Sequence, residues 1–173
     1  MIVLEPTRMH WIRDDGSDDS YDLCVHSPVR FEIDSHVLIR PEDGDWAVST
    51  SALYLLRTLT DDRAMRHGDF DDQVFPHCGH VFAQNGDDPV FFIGCSTGID
   101  LASQRVECSV RLQLSNGAEA KAPMAEWREA VIAFARTVNS FYEGSTPKIA
   151  EDPSDASAFV AFTRELSARL VAV

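Results

Sequence analysis

The stretch Arg105-Val-Glu-Cys-Ser-Val-Arg-Leu-Gln-Leu114 decides the fold, together with the residues that follow it. Apolar and polar side chains alternate along the whole stretch. This period of two predicts one β-strand with Val106, Cys108 and Val110 on its apolar face. Asn116-Gly117 comes next and predicts a tight hairpin turn, because both residue types readily adopt a positive φ. With a return strand expected over 118–122, the sequence predicts an antiparallel hairpin.

Two helices are expected after this hairpin. Pro123 suits the first position of a helix, and apolar residues then recur every three or four positions from Trp127 to Tyr142. Gly144 is expected to end this helix in a left-handed conformation. A second helix is expected to begin at Ser154 or Asp155. Its buried side is marked by Phe159, Phe162, Leu166 and Leu170.

The N-terminal part shows strands and one further helix. Residues 29–33 alternate between apolar and polar side chains, which predicts a strand with one wet face. Residues 90–93 are all apolar and predict a strand that is central in its sheet. Ser49 or Thr50 is expected to cap a helix that is apolar on almost every side and has Arg57 as its charged residue. Such a helix is expected to be buried.

These elements predict an α+β fold. It consists of a mostly antiparallel sheet, a buried helix in the N-terminal half, and two C-terminal helices packed on one face of the sheet. Because 173 residues suffice for one hydrophobic core, the sequence predicts a single globular domain over 1–173. The acidic, sheet-rich part covers about 1–122 and the helical part about 123–173.

The negative charge of the chain is unevenly distributed. The formal net charge is −13, and residues 1–100 contain 19 acidic against 7 basic residues. An acidic surface of this kind repels nucleic acid and anionic lipid and attracts basic proteins. No basic patch for nucleic acid and no apolar run long enough to span a membrane is present. The expected partner is therefore a basic protein, with no nucleic acid and no membrane.

The predicted partner surface is a set of aspartates in the acidic stretch 61–72. It comprises Asp61, Asp62, Asp69, Asp71 and Asp72. In size, charge and expected cytoplasmic location the chain is similar to bacterial immunity and inhibitor proteins, although no motif identifies a family. The cytoplasmic expectation comes from the absence of a secretory signal at the N-terminus. A structural subunit whose charge only maintains solubility is the plainest alternative.

Two Cys-x-His pairs support a second alternative, a zinc site or a thiol-dependent enzyme. They are Cys24 with His26, and Cys78 with His80, and Cys95 could replace one member. Thiolate and imidazole are the ligands that zinc prefers, but zinc sites usually space paired ligands more widely than one residue. Cys24 and His26 are expected to point away from the core. No cofactor is expected, and zinc is the alternative.

Two other motifs are weaker indications of an active site. Gly94-Cys-Ser-Thr-Gly98 matches the nucleophile elbow G-x-S-x-G, but no histidine follows it in the chain, as that architecture requires. His77 beside Cys78 suggests a nucleophilic thiol, but no third residue that would orient the pair can be named. The acidic stretches lack the ligand spacing of a calcium loop. None of these patterns identifies a reaction.

Overall fold

The computed structural model describes residues 1–12, 17–65, 73–77, 81–86, 88–94 and 97–172. The strands are β1 Ile2–Pro6, β2 His26–Ser27, β3 Val29–Ile33, β4 His36–Ile39, β5 Trp46–Ala47, β6 Val81–Ala83, β7 Phe91–Ile93, β8 Leu101–Val106, β9 Ser109–Leu114 and β10 Glu119–Pro123. The helices are α1 Val48–Arg57, α2 Met124–Glu143 and α3 Pro153–Ala172. Every pair of named strands is antiparallel. This arrangement confirms the predicted α+β class.

The described strands are divided among four small sheets. Their orders are β1-β3-β4, β10-β9-β8, β2-β5 and β6-β7. Helix α2 packs against β1 and against β9 and β10, while α3 packs against β6. Helix α1 contacts both other helices, and nine of its ten residues are buried. The predicted buried helix in the N-terminal half is therefore confirmed, and it lies between the C-terminal helices and the sheets.

The stretch 105–114 is a hairpin and not the single strand that its alternation predicts. The chain turns at Glu107 and Cys108, so that Val106 in β8 pairs with Ser109 in β9. Glu107 has a φ of 56°, a conformation that glutamate seldom adopts. Cys108 is exposed at this turn. The turn was not predicted because it contains none of the glycine, asparagine or proline residues that usually mark one.

The predicted Asn116-Gly117 hairpin is confirmed, since β10 pairs with β9 and Gly117 has a φ of 90°. Gly144 follows α2 as expected, but its φ of −85° is right-handed, so the predicted left-handed cap is wrong. No side chain caps α1, whereas Asp152 accepts a hydrogen bond from the Ser154 N–H at the start of α3. The predicted caps of these two helices are therefore wrong.

The strand predicted at 90–93 is found as β7, but its predicted central position is wrong. Among the described residues β7 pairs only with β6, and Ile93 is exposed. The inward side chain, Phe92, packs with Phe82 and with Phe162 of α3. A cluster of buried apolar side chains extends from Leu4 to Leu166 and includes residues of all three helices. The single-domain boundaries stay a prediction.

No helix within the described ranges is both long enough and apolar enough to cross a membrane.

Candidate functional site

The two described members of the predicted partner surface lie just after α1. Asp62 accepts hydrogen bonds from the backbone N–H and the guanidinium of Arg105, and these contacts lower the pKa of the Asp62 carboxyl. Asp61 is exposed and accepts a hydrogen bond from the Thr60 hydroxyl at 2.8 Å. Of these two, Asp61 therefore presents a carboxylate without an ion pair among the described residues. Asp69, Asp71 and Asp72 lie outside the described residues.

Arginines surround these two aspartates. Arg57, Arg63 and Arg169 line the same cavity of about 470 Å³ as Asp61 and Asp62. Arg57 makes a two-point ion pair with Glu165, with N–O distances of 2.9 and 2.7 Å, which joins α1 to α3. Arg63 pairs with Asp100 at 2.9 Å. The described part of the predicted surface is thus a region of mixed charge.

The first Cys-x-His pair is buried. Cys24 and His26 are almost completely inaccessible, as are Leu23 and Val25 beside them. The prediction that the pair points away from the core is wrong, because the segment is enclosed on both sides. Tyr142 of α2 donates a hydrogen bond to the Leu23 carbonyl at 2.7 Å on one side. Ser49 of α1 accepts one from the Val25 N–H at 2.8 Å.

Burial determines the chemistry of the Cys24 thiol. Loss of solvation raises its pKa to about 12, so the thiol remains protonated at neutral pH. The Nδ1 atom of His26 donates to the Cys24 carbonyl at 3.1 Å. Cys78, His80 and Cys95 lie outside the described residues. Within the residues that the structure describes, no three His, Cys, Asp or Glu side chains are grouped so that they could hold a metal ion.

A histidine–aspartate pair was not predicted from the sequence. His10 Nε2 lies 2.8 Å from Asp45 Oδ2, and His10 Nδ1 lies 2.9 Å from the Trp11 carbonyl. Both ring nitrogens therefore lie within hydrogen-bond distance of oxygen atoms of the fold. The pair connects the segment after β1 to the residue before β5, which is a structural role.

The described residues also form an acidic groove of about 320 Å³. We use this name for the cavity between 19–23 and 150–155. It is lined by Ile12, Asp19, Tyr21, Asp22, Leu23, Ala150, Glu151 and Asp155. Four of these side chains are acidic, and among the described residues no lysine or arginine lines the groove. At neutral pH the groove therefore concentrates negative charge beside exposed apolar side chains.

A buried lysine holds the two walls of the acidic groove together. The side chain of Lys148 is only 3 % exposed, and its ammonium group pairs with Asp18 and donates to the Asp19 carbonyl. The same ammonium lies 3.2 Å from the centroid of the Trp11 ring. Contacts with Lys148 and Thr146 lower the pKa of Asp18 to about 2. The Ile149 N–H also donates to the Ser20 carbonyl at 2.8 Å.

No local signal in the sequence indicated this groove. Its walls lie about 130 positions apart in the chain, as the separation of Asp18 and Lys148 shows. By composition, one wall is an acidic turn and the other is a linker with Pro147 and Pro153. Comparison of the chain with family models, with curated proteins and with solved structures finds no match in any of the three.

Proposed function

We propose that this chain is a small acidic binding protein that docks a basic protein partner in the cytoplasm. Its general character is that of a bacterial immunity or inhibitor protein. The observation that carries the proposal is the set of carboxylates in residues 1–100 that are exposed and lack an ion pair among the described residues. The set comprises Glu42, Asp43, Asp61 and Asp88. These charges are available to a partner.

Three of the five described arginines in the same region are paired within the fold, whereas Arg8 and Arg40 are exposed and have no ion pair among the described residues. Arg30 pairs with Glu32, and Arg57 and Arg63 pair with Glu165 and Asp100. The uncompensated charge of this part of the chain is therefore negative. The electrostatic field of this negative charge accelerates the encounter with a basic protein and slows the encounter with an acidic protein. Its effect weakens as salt screens the charge.

The buried thiol does not favour the alternative of a thiol enzyme at Cys24. A nucleophilic cysteine needs an accessible thiolate, whereas Cys24 is enclosed and its pKa is raised to about 12. The exposed cysteine in the described residues, Cys108, lies on a hairpin turn and is not part of any described cluster of titratable side chains. A binding protein is therefore the function that we put to the test.

The test is a selection of random peptides on the immobilised chain, followed by affinity measurements. We expect the selected peptides to be rich in lysine and arginine. We also expect their affinity to fall at least about tenfold between about 20 mM and about 500 mM salt, because exposed charges are screened. Scrambled peptides of the same composition serve as controls for nonspecific attraction. Selection of neutral or acidic peptides, or an affinity that does not change with salt, would contradict the proposal.

A further inference from the structure

We infer that the acidic groove receives a lysine or arginine side chain that is flanked by an apolar residue on the partner. This inference rests on the proposed function and specifies the surface and the chemistry of the contact. It places the contact at Glu151, Asp155 and their neighbours, and not at the predicted surface around Asp61. Three features of the groove carry it: its apolar rim, the carboxylates of Asp22, Glu151 and Asp155, and the lysine already bound beside it.

The rim of the groove is apolar and accessible. Ile12 is 52 % exposed and Tyr21 is 54 % exposed, so both present apolar surface at the groove. Tyrosine is one of the residue types enriched among those that contribute most to protein–protein binding. An aliphatic side chain, or the methylene groups of a lysine or arginine, would be covered by these two residues.

Three carboxylates of the groove, those of Asp22, Glu151 and Asp155, lack cationic partners among the described residues. Asp22 is only 8 % exposed, and its oxygens accept hydrogen bonds from the backbone N–H groups of Ile12 and Cys24. Aspartate is seldom buried to this extent without a cation. Glu151 is exposed, Asp155 is half-buried, and neither makes an ion pair within the described ranges. A cation entering the groove would compensate all three charges.

Lys148 shows how this region accommodates a cation. Its ammonium group is bound between the Trp11 ring and the Asp18 carboxylate, immediately beside the groove. The groove is also lined by an aromatic and an acidic side chain, Tyr21 and Glu151. Because Lys148 already ties the two walls together, a partner would not have to order them on binding. A preformed groove favours a specific contact over diffuse attraction.

The test uses one fluorescein-labelled peptide, Gly-Leu-Lys-Arg-Leu-Gly, and the full chain. Fluorescence anisotropy would give its affinity for the unmodified chain and for two variants with the same change of charge. The first variant, Glu151→Gln with Asp155→Asn, neutralises the groove. The second, Glu107→Gln with Glu129→Gln, neutralises two exposed carboxylates that belong neither to the groove nor to the set named under the proposed function. A peptide in which glutamate replaces lysine and arginine is the control for charge.

We expect the groove variant to bind the basic peptide about tenfold more weakly and the second variant less than about twofold more weakly. Tyr21→Ser should also weaken binding, since the inference requires the apolar rim. Amide resonances of Ile12, Tyr21 and Glu151 should shift on titration with the peptide. Equal losses of peptide affinity in the two charge variants, or a larger loss in the second, would contradict the inference that the groove is the contact site. Such a result would not contradict the proposed function. Absence of binding by any basic peptide would overturn both.

Discussion

Burial sets the chemistry of individual side chains in this protein. Cys24 and Cys108 are both free thiols, but Cys24 is fully buried and Cys108 is exposed. Loss of solvation raises the pKa of Cys24 to about 12, because the thiolate would be surrounded by protein and not by water. Lys148 shows the opposite outcome, since its buried ammonium is compensated by Asp18 and by the Trp11 ring. The charge of Lys148 is therefore compensated within the fold.

The two described cysteines should therefore differ in reactivity. We expect iodoacetamide at about pH 8 to modify Cys108 at least about 100-fold faster than Cys24 in the native protein, because alkylation requires an accessible thiolate. Peptide mapping by mass spectrometry would measure both rates, with the guanidinium-unfolded chain as the control in which they become similar. Comparable rates in the native state would contradict the described burial of Cys24.

At the scale of elements, aromatic side chains attach α3 to the β6–β7 hairpin. Phe162 packs on Phe82 and Phe92 with ring centroids 5.1 and 5.7 Å apart, and Phe159 also contacts Phe82. The pairs Phe82–Phe92 and Phe92–Phe162 meet edge to face, the arrangement that aromatic quadrupoles favour. A two-stranded hairpin is only marginally stable alone, so this cluster is what holds β6 and β7 in place.

Truncation of Phe162, whose ring contacts both Phe82 and Phe92, should destabilise the fold. We expect Phe162→Ala to lower the free energy of unfolding by about 3–5 kcal/mol, because it removes buried apolar area and leaves a cavity. Val160→Ala is the matched control, since Val160 lies in the same helix but is exposed, and it should cost less than about 0.5 kcal/mol. Urea unfolding followed by circular dichroism would measure both. A loss below about 1 kcal/mol for Phe162→Ala would indicate that α3 does not dock on the hairpin as described.

At the scale of the whole molecule, several carboxylates are stabilised in their charged form. The ion pair with Lys148 lowers the pKa of Asp18 to about 2, and Arg30 lowers that of Glu32. The pKa of Asp62 and that of Glu165 are lowered too, despite the partial burial of Glu165, whose carboxylate faces two arginines. A carboxyl with a folded pKa below its unfolded value stabilises the fold when it is ionised.

Stability should therefore decrease in acid. The contribution of Asp18 is complete above its ordinary pKa of 3.8 and is lost as the pH falls from there to about 2. We expect Asp18→Asn to reduce the fall in unfolding free energy over this range, as measured by urea titrations at successive pH values. Asp61→Asn is the control, because Asp61 has no ion pair in the part of the chain that the structure describes. An unchanged pH profile for Asp18→Asn would show that its ion pair with Lys148 does not form.

Regular local patterns predicted the elements that depend on neighbouring residues. The recurrence of apolar residues from Trp127 to Tyr142 predicted α2, and Asn116-Gly117 predicted the turn between β9 and β10. The turn at Glu107 was not predictable, because the alternation continues through it and glutamate is not a turn residue. The burial of Cys24 was not predictable either, because the residue that covers this segment, Tyr142, lies more than 100 positions away.

The sequence by itself determined the α+β class, the buried character of α1 and the excess of negative charge on residues 1–100. Each follows from residue type and local periodicity, which act over a few positions. Only the tertiary structure decided which charges are compensated. In the folded chain Asp62 pairs with Arg105, and Asp18 pairs with Lys148 beside the acidic groove. Compensation and burial depend on which surfaces meet, and that is a property of distant segments packed together.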